Sequence, residues 1–250
     1  MSQARARLRE AVTRNKDQKL TALLHHVNVD VLRAGFLSLK RSAAPGVDEL
    51  TWDRYAEDLE TNLVDLHARV HAGAYRALPS RRRYIPKADG RQRPLGIAAL
   101  EDKIVQAAVV MLLTPIYEAE FLGFSYGFRS GRGQHDALDA LAFGIGNRRI
   151  TWILDADIRS FFDTLSRPWL VRFIEHRIGD RRIGRLIRKW LNAGVLDEGQ
   201  QIETEEGVPQ GAVISPLLAN IYLPLCLRPV GPAVAPPSRD RRHDRRALRG

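Results

Sequence analysis

Residues 151–165, TWILDADIRSFFDTL, decide the fold. The opening TWIL is apolar, with β-branched and aromatic members, and reads as a buried strand. Asp155 and Asp157 follow where the apolar run gives out. Residues two apart on a strand share a face, which lets both carboxylates point the same way. Phe161, Phe162 and Asp163 come next. A carboxylate at the end of a buried strand is costly unless something pairs with it. A hard divalent cation such as Mg2+ is one such partner. A following helix N-terminus or a nearby arginine is the ordinary alternative.

Outward from this stretch, the 250 residues have room for one large domain or two smaller ones. Hydrophobic residues make up 44% of the chain, enough for a substantial core. The single cysteine, Cys226, excludes an intramolecular disulfide framework and a Cys-rich zinc site. No apolar run is long enough to cross a bilayer. The N-terminal MSQARARLREAVTRNKDQKL has no signal-peptide core. The expectation is an intracellular protein without a membrane partner. A net charge of +10 suits a polyanionic partner. From Pro224 onward, however, seven arginines against two aspartates supply +5 of that total. The body is only modestly basic, and its charge alone does not separate nucleic-acid binding from a solvated basic surface.

Residues 1–40 read as helical, with Leu20, Leu23, Leu24, Val27, Val31 and Leu32 near helical spacing. After the breaker SAAPG at 42–46, a second amphipathic segment runs from Tyr55 to Val70. Residues 81–94, RRRYIPKADGRQRP, read as a hairpin turning at Asp89-Gly90. Its arginines and Lys87 suit phosphates; they equally suit an edge hairpin protected by charge. Asp102 is placed to cap a helix running to Phe121. The loop FSYGFRSGRGQHD at 124–136 interleaves aromatics with arginines, a mix able to stack on bases and meet phosphates. Ser166 and Asp180 start two further helices, and 195–205 reads as a hairpin. GVPQG at 207–211 is a loop bracketed by glycines, suited to close backbone approach, and it feeds a helix over 215–223. From Pro224 the apolar periodicity stops, and 224–250 reads as disordered.

Six blocks in order resemble the reverse transcriptase domain of group II intron-encoded proteins. They are APGVDELTW at 44–52, RRRYIPKADGRQRPLGI at 81–97, EDKIVQ at 101–106, FSYGFRSGRGQHDAL at 124–138, DADIRSFFDTL at 155–165 and GVPQGAVISPLLANIYL at 207–223. Lys103 and Ala98 depart from the family's usual arginine and proline. The resemblance implies an α+β fold, the right hand of a polymerase, with fingers and an incomplete palm but no thumb. Residues 1–148 would supply N-terminal helices, fingers and part of the palm, and 149–223 more of the palm. The implied activity is that of an RNA-directed DNA polymerase: templated transfer of a dNTP onto a DNA primer along an RNA template, by a two-metal mechanism with Mg2+. Asp157 matches the catalytic, metal-binding aspartate, and the carbonyl of Ile158 a further metal ligand. Phe162 matches the residue packing under the deoxyribose. Lys87 and Arg93 match the fingers cations that clasp the triphosphate, and Gln210 matches a residue lining the nucleotide pocket.

The family also carries a Tyr-x-Asp-Asp hairpin beyond the LANIYL helix. This chain contains no Asp-Asp pair anywhere. The simplest account is a shift of reading frame after Leu223, which makes the tail out-of-frame translation; a basic RNA-contacting tail is the other reading. With Asp157 as the one matching carboxylate, the expectation is negligible polymerase activity. The LANIYL helix is also expected to lose the surface on which it packs. Two functions stand side by side: a truncated reverse transcriptase, and a non-catalytic fragment that binds intron RNA in the manner of a maturase. A retron-type enzyme is a more distant third. Alanine- and arginine-rich composition suggests a GC-rich bacterial genome, and with no signal-peptide core the expected setting is a bacterial cytoplasm.

Overall fold

The computed structural model describes residues 19–86, 90–147, 150–203 and 205–227. After a short 3-10 turn at Leu24–His26, the helices are α1 Val29–Ser38, α2 Trp52–Glu57, α3 Leu59–Ala72, α4 Leu100–Glu118, α5 Gln134–Asn147, α6 Phe161–Thr164, α7 Arg167–Arg177, α8 Arg181–Asn192 and α9 Ser215–Leu227. The strands are β1 Ser80–Pro86, β2 Gln92–Ile97, β3 Val195–Asp197 and β4 Gln200–Ile202, in the sheet order β2-β1-β3-β4.

The core follows from apolar stripes at helical spacing. Leu32 and Phe36 of α1, Leu63 and Leu66 of α3, and Ile104, Ala108 and Leu113 of α4 are fully buried. Leu170 of α7 and Ile183, Ile187 and Trp190 of α8 continue the same cluster. Gly35 lets α1 lie directly on α4, since a Cβ there would sit 2.8 Å from the Ile104 carbonyl oxygen. The segment predicted from Tyr55 to Val70 is two helices, broken at Asp58.

The basic hairpin forms as read, with Pro86 opposite Gln92 and Arg81 opposite Ile97. Its turn, including Lys87, lies outside the described residues. The second hairpin also forms, pairing Asp197 with Gln200 around Glu198 and Gly199, both at positive φ, as a tight two-residue turn requires. β1 then runs parallel to β3 through Ser80–Val195. This joins the two hairpins into one sheet.

Asp102 does not cap α4. The helix begins two residues earlier, and Asp102 is 2% exposed beneath it. Its carboxylate accepts from the Tyr75 hydroxyl and from the Leu78 backbone N–H, and Trp190 Nε1 donates to the same hydroxyl at 2.8 Å. This buried network fixes the chain entering β1 against α4 and α8. Asp180 does cap α8, accepting from the Arg182 N–H. It also accepts from Leu23 and Leu24 N–H at 2.8 and 2.9 Å, while Leu20 bridges to Ile178. Burial pushes the Asp180 carboxyl up, but these three amides outweigh it and hold it down to about 2.

Two expectations fail around the central stretch. Residues 150–158 form no strand, and Trp152 and Leu154 are 90% and 91% exposed. A strand needs a neighbour for its ladder and a surface for its apolar face. Among the described residues no strand lies beside this segment. The preceding α5 buries none of its residues. The LANIYL helix, in contrast, keeps its packing surface. Leu218, Ala219 and Ile221 are buried, and α9 lies on α7 and α4. It also runs through Pro224 to Leu227, past Leu223 where the sequence reading ended the fold. Residues 228–250 lie outside the described residues.

Candidate functional site

The 207–211 loop organises the site. Gly207 adopts φ +76, and a Cβ there would fall 2.7 Å from the carbonyl oxygens of both Phe162 and Asp163. Gly207 N–H donates to Leu165 O at 2.8 Å, and Val208 N–H to Phe162 O at 2.7 Å. At the other end Gly211, at φ +100, leaves no room for a Cβ against Leu95 and the Gly96 carbonyl. Gly96 N–H donates to Gln210 O at 2.7 Å. The glycines therefore permit the close approach read from the sequence, and here it is to the protein's own backbone. The loop joins α6 to strand β2.

This joint brings side chains together. Arg93 Nε donates to Gln210 Oε1 at 3.1 Å. Gln210 Nε2 lies 2.8 Å from both oxygens of Asp163. All three side chains are on the solvent side. Phe162, half-buried on α6, meets Phe128 edge-on with ring centroids 6.2 Å apart. It also meets Phe161, which packs on Tyr222 of α9. Arg167 Nε donates to Gly207 O at 2.8 Å and braces the loop from α7. A cavity of about 110 Å³ lies here, lined by Pro94, Gly96, Asp163, Arg167, Gly207 and Gln210 among others. It is smaller than the roughly 300–1,000 Å³ of small-molecule sites.

Three of the residues singled out from sequence, Arg93, Gln210 and Phe162, thus converge. Lys87 lies outside the described residues. Asp157 and Ile158 are exposed on the irregular segment before α6, and neither lines the cavity. Asp155 is exposed beside them. Among the described residues no group of three or more His, Cys, Asp or Glu could hold a metal ion. Two close divalent cations require several carboxylates to offset their repulsion. The described residues do not fit such a pair of cations.

Sequence reasoning missed Asp163 and Phe128. Asp163 was visible as the third acid of DADIRSFFD, but its role depends on Gln210, 47 residues away. The aromatic loop also behaves differently from its reading. Arg129 is 7% exposed, paired with Glu118 and donating to the carbonyls of Leu122 and Ser125 at 2.8 Å. Arg132 stacks on Tyr126. Both cations serve the loop's own structure, while Phe124 and Phe128 remain exposed.

Comparison with known proteins bears on this arrangement. The family described as reverse transcriptase (RNA-dependent DNA polymerase) matches residues 85–234, more than half of the chain and past Leu223. Protein YkfC of Escherichia coli (strain K12) is 42% identical over 190 residues, covering 75% of this chain and 50% of that protein. The group II intron-encoded protein LtrA of Lactococcus lactis subsp. cremoris is 35% identical over 214 residues, covering 84% of this chain and 35% of that protein. The chain therefore spans half or less of the length of these relatives. A solved structure titled Cas6-RT-Cas1--Cas2 complex superposes with a TM-score of 0.54 at 23% identity, over 82% of this chain and 21% of that one, and shares the fold. None of the described helices is long and apolar enough to cross a membrane. The chain belongs to the reverse transcriptase (RNA-dependent DNA polymerase) family, on its group II intron branch.

Proposed function

We propose that this chain carries the nucleotide-holding half of an RNA-directed DNA polymerase of the group II intron type, and that these 250 residues alone do not catalyse extension. The observation behind the first statement is the Arg93–Gln210–Asp163 chain of hydrogen bonds beside Phe162. It sets a cation for phosphate and a flat apolar ring for sugar on either side of one rigid loop. Lys87, which follows β1 in sequence, is the second triphosphate cation in this reading. The observation behind the second statement is the ligand count. Asp157 and the carbonyl of Ile158 are what the chain offers Mg2+ at the matching position, and no third ligand is gathered with them among the described residues.

In this reading residues 1–148 form the N-terminal helices, fingers and part of the palm, and 149–223 more of the palm. An RNA template or intron RNA, a DNA primer and dNTPs are the partners, in a bacterial cytoplasm. The isolated Asp157 favours a second reading, a non-catalytic RNA-binding fragment with maturase-like contacts.

Primer extension on an RNA template with Mg2+ and dNTPs, run beside Asp157→Ala, tests the proposal together with triphosphate binding by calorimetry. Triphosphate binding that weakens in Arg93→Gln, without extension by either chain, is the expected result. Extension abolished by Asp157→Ala would overturn the statement about catalysis. Absence of triphosphate binding would overturn the nucleotide-holding role and leave the RNA-binding reading.

A further inference from the structure

Helix α8 has a charge distribution that its own stability does not explain. Arg181–Asn192 reads RRIGRLIRKWLN, with five cations and no acid. Its apolar face, Ile183, Leu186, Ile187, Trp190 and Leu191, is buried in the core. Arg181 and Arg182 occupy the first turn, where the helix dipole is positive and cations are unfavourable. Arg181, Arg185 and Lys189 recur every four residues, so like charges stack along one row about 5–6 Å apart. Each of these choices disfavours the helix. Helix α3 shows the ordinary arrangement, with Glu60 in the first turn and Arg69 and His71 in the last.

The neighbouring groups do not neutralise this row. Asp180 is committed to the amides of Leu23, Leu24 and Arg182, and the Arg182 side chain approaches it only at 3.4 Å. Glu175 of α7 pairs with Arg188. Arg181 and Arg185 are exposed and make no ion pair among the described residues. Lys189 donates to the carbonyls of Gly73 and Tyr75, so the segment that carries exposed Arg76 meets the last turn of α8. On the adjacent α7, Arg172 stacks over half-exposed Trp169 at 5.0 Å.

We propose that the row Arg76–Arg185–Arg181 is a docking track for the phosphodiester backbone of a nucleic acid, separate from the nucleotide site. Guanidinium groups spaced along a rigid rod suit successive phosphates, and the contacts carry no base specificity. Binding along this track releases counterions and is therefore steeply salt-dependent.

The test is fluorescence anisotropy of the full 250-residue chain with a labelled short RNA duplex, a single-stranded RNA and a DNA duplex, titrated between about 50 and 200 mM KCl. In Arg76→Gln/Arg181→Gln/Arg185→Gln the slope of log affinity against log salt falls by roughly 2–3, and affinity at the low-salt end drops about tenfold or more. The corresponding triple lysine variant keeps the slope. Thermal unfolding of the glutamine variant is unchanged or raised, because the removed charges oppose the dipole and one another. The three probes identify which nucleic acid the track prefers. An unchanged slope and affinity in the glutamine variant would overturn the proposal, as would a lowered unfolding temperature, which would assign these arginines to the fold. Neither result touches triphosphate binding, so this proposal and that of the nucleotide site fail separately.

Discussion

Gln210 presents its amide nitrogen to both carboxylate oxygens of Asp163, each at 2.8 Å. That pairing orients the amide, because a carboxylate accepts and cannot donate. The oxygen of Gln210 is left facing Arg93. Asp163 thus sets the side of Gln210 that meets the β1–β2 hairpin.

Gln210→Glu places a second carboxylate against Asp163. Like charges this close raise the pKa of at least one of them. The folded variant then binds a proton more tightly than the unfolded chain. It is about 1 kcal/mol less stable than the parent at neutral pH and regains stability as pH falls through the carboxylate range. Denaturant midpoints at about pH 4 and 7 measure this. The double variant with Asp163→Asn recovers the parent's value at neutral pH; failure to recover would show that the two side chains do not interact.

Burial pushes the Asp102 carboxyl up to about 6, although the Tyr75 hydroxyl and the Leu78 amide pull it down. Its folded pKa lies above the unfolded value of about 4, so the folded state holds the extra proton. The contribution is complete below about pH 4 and is lost as pH rises toward about 6. Asp102→Asn, uncharged throughout, removes this slope. Relative to the variant, the parent loses on the order of 3 kcal/mol between those limits. Parallel pH–stability curves for the two chains would contradict the assignment.

Gly207→Ala introduces a Cβ 2.7 Å from two backbone carbonyl oxygens, at φ +76. Neither the clash nor the left-handed conformation is relieved by a flexible neighbour. The expected cost is about 2 kcal/mol or more in urea unfolding. The bond from Arg93 to Gln210 loosens with it, read as faster hydrogen exchange at Gly96, whose amide the loop holds. A change within about 0.5 kcal/mol would mean that the loop gives way cheaply.

Trp152 and Leu154 project from an unpaired segment, and Phe143 and Leu141 of α5 are exposed as well. Large exposed apolar side chains promote self-association. Trp152→Ser/Leu154→Ser lowers binding of a hydrophobic dye and shifts the chain toward monomer in sedimentation, while unfolding stays within about 0.5 kcal/mol. A marked loss of stability would show that these side chains already pack against the core.

Much of the fold was legible because it rests on local rules. Asp180 as a cap, the turn at Glu198-Gly199 and the basic hairpin are each specified by a few adjacent residues. Arg93, Gln210 and Phe162 were singled out through the ordered family blocks, and the fold brings them to one joint. The failures share one cause. TWIL has a strand's composition, but a strand is a property of two segments, and its neighbour is not among the described residues. Asp102 follows the cap pattern, but tertiary bonds from Tyr75 and Leu78 claim it for the interior. Asp163 has a role only once Gln210 is folded against it, and no local spacing reports that.

The carboxylate of Asp180 reaches back 157 residues to the amide of Leu23. A ribosome delivers the chain in the opposite order, N-terminus first. The segment holding Leu20, Leu23 and Leu24 lacks its hydrogen bonds to Asp180 and its neighbours until α8 has left the exit tunnel. Helices α1 to α4 must wait through that interval with one flank unsecured. Closure of so distant a contact comes late and at an entropic cost set by the long intervening loop. The first described residues of this protein are therefore among the last to be locked in place, and a chaperone has its longest opportunity at the end made first.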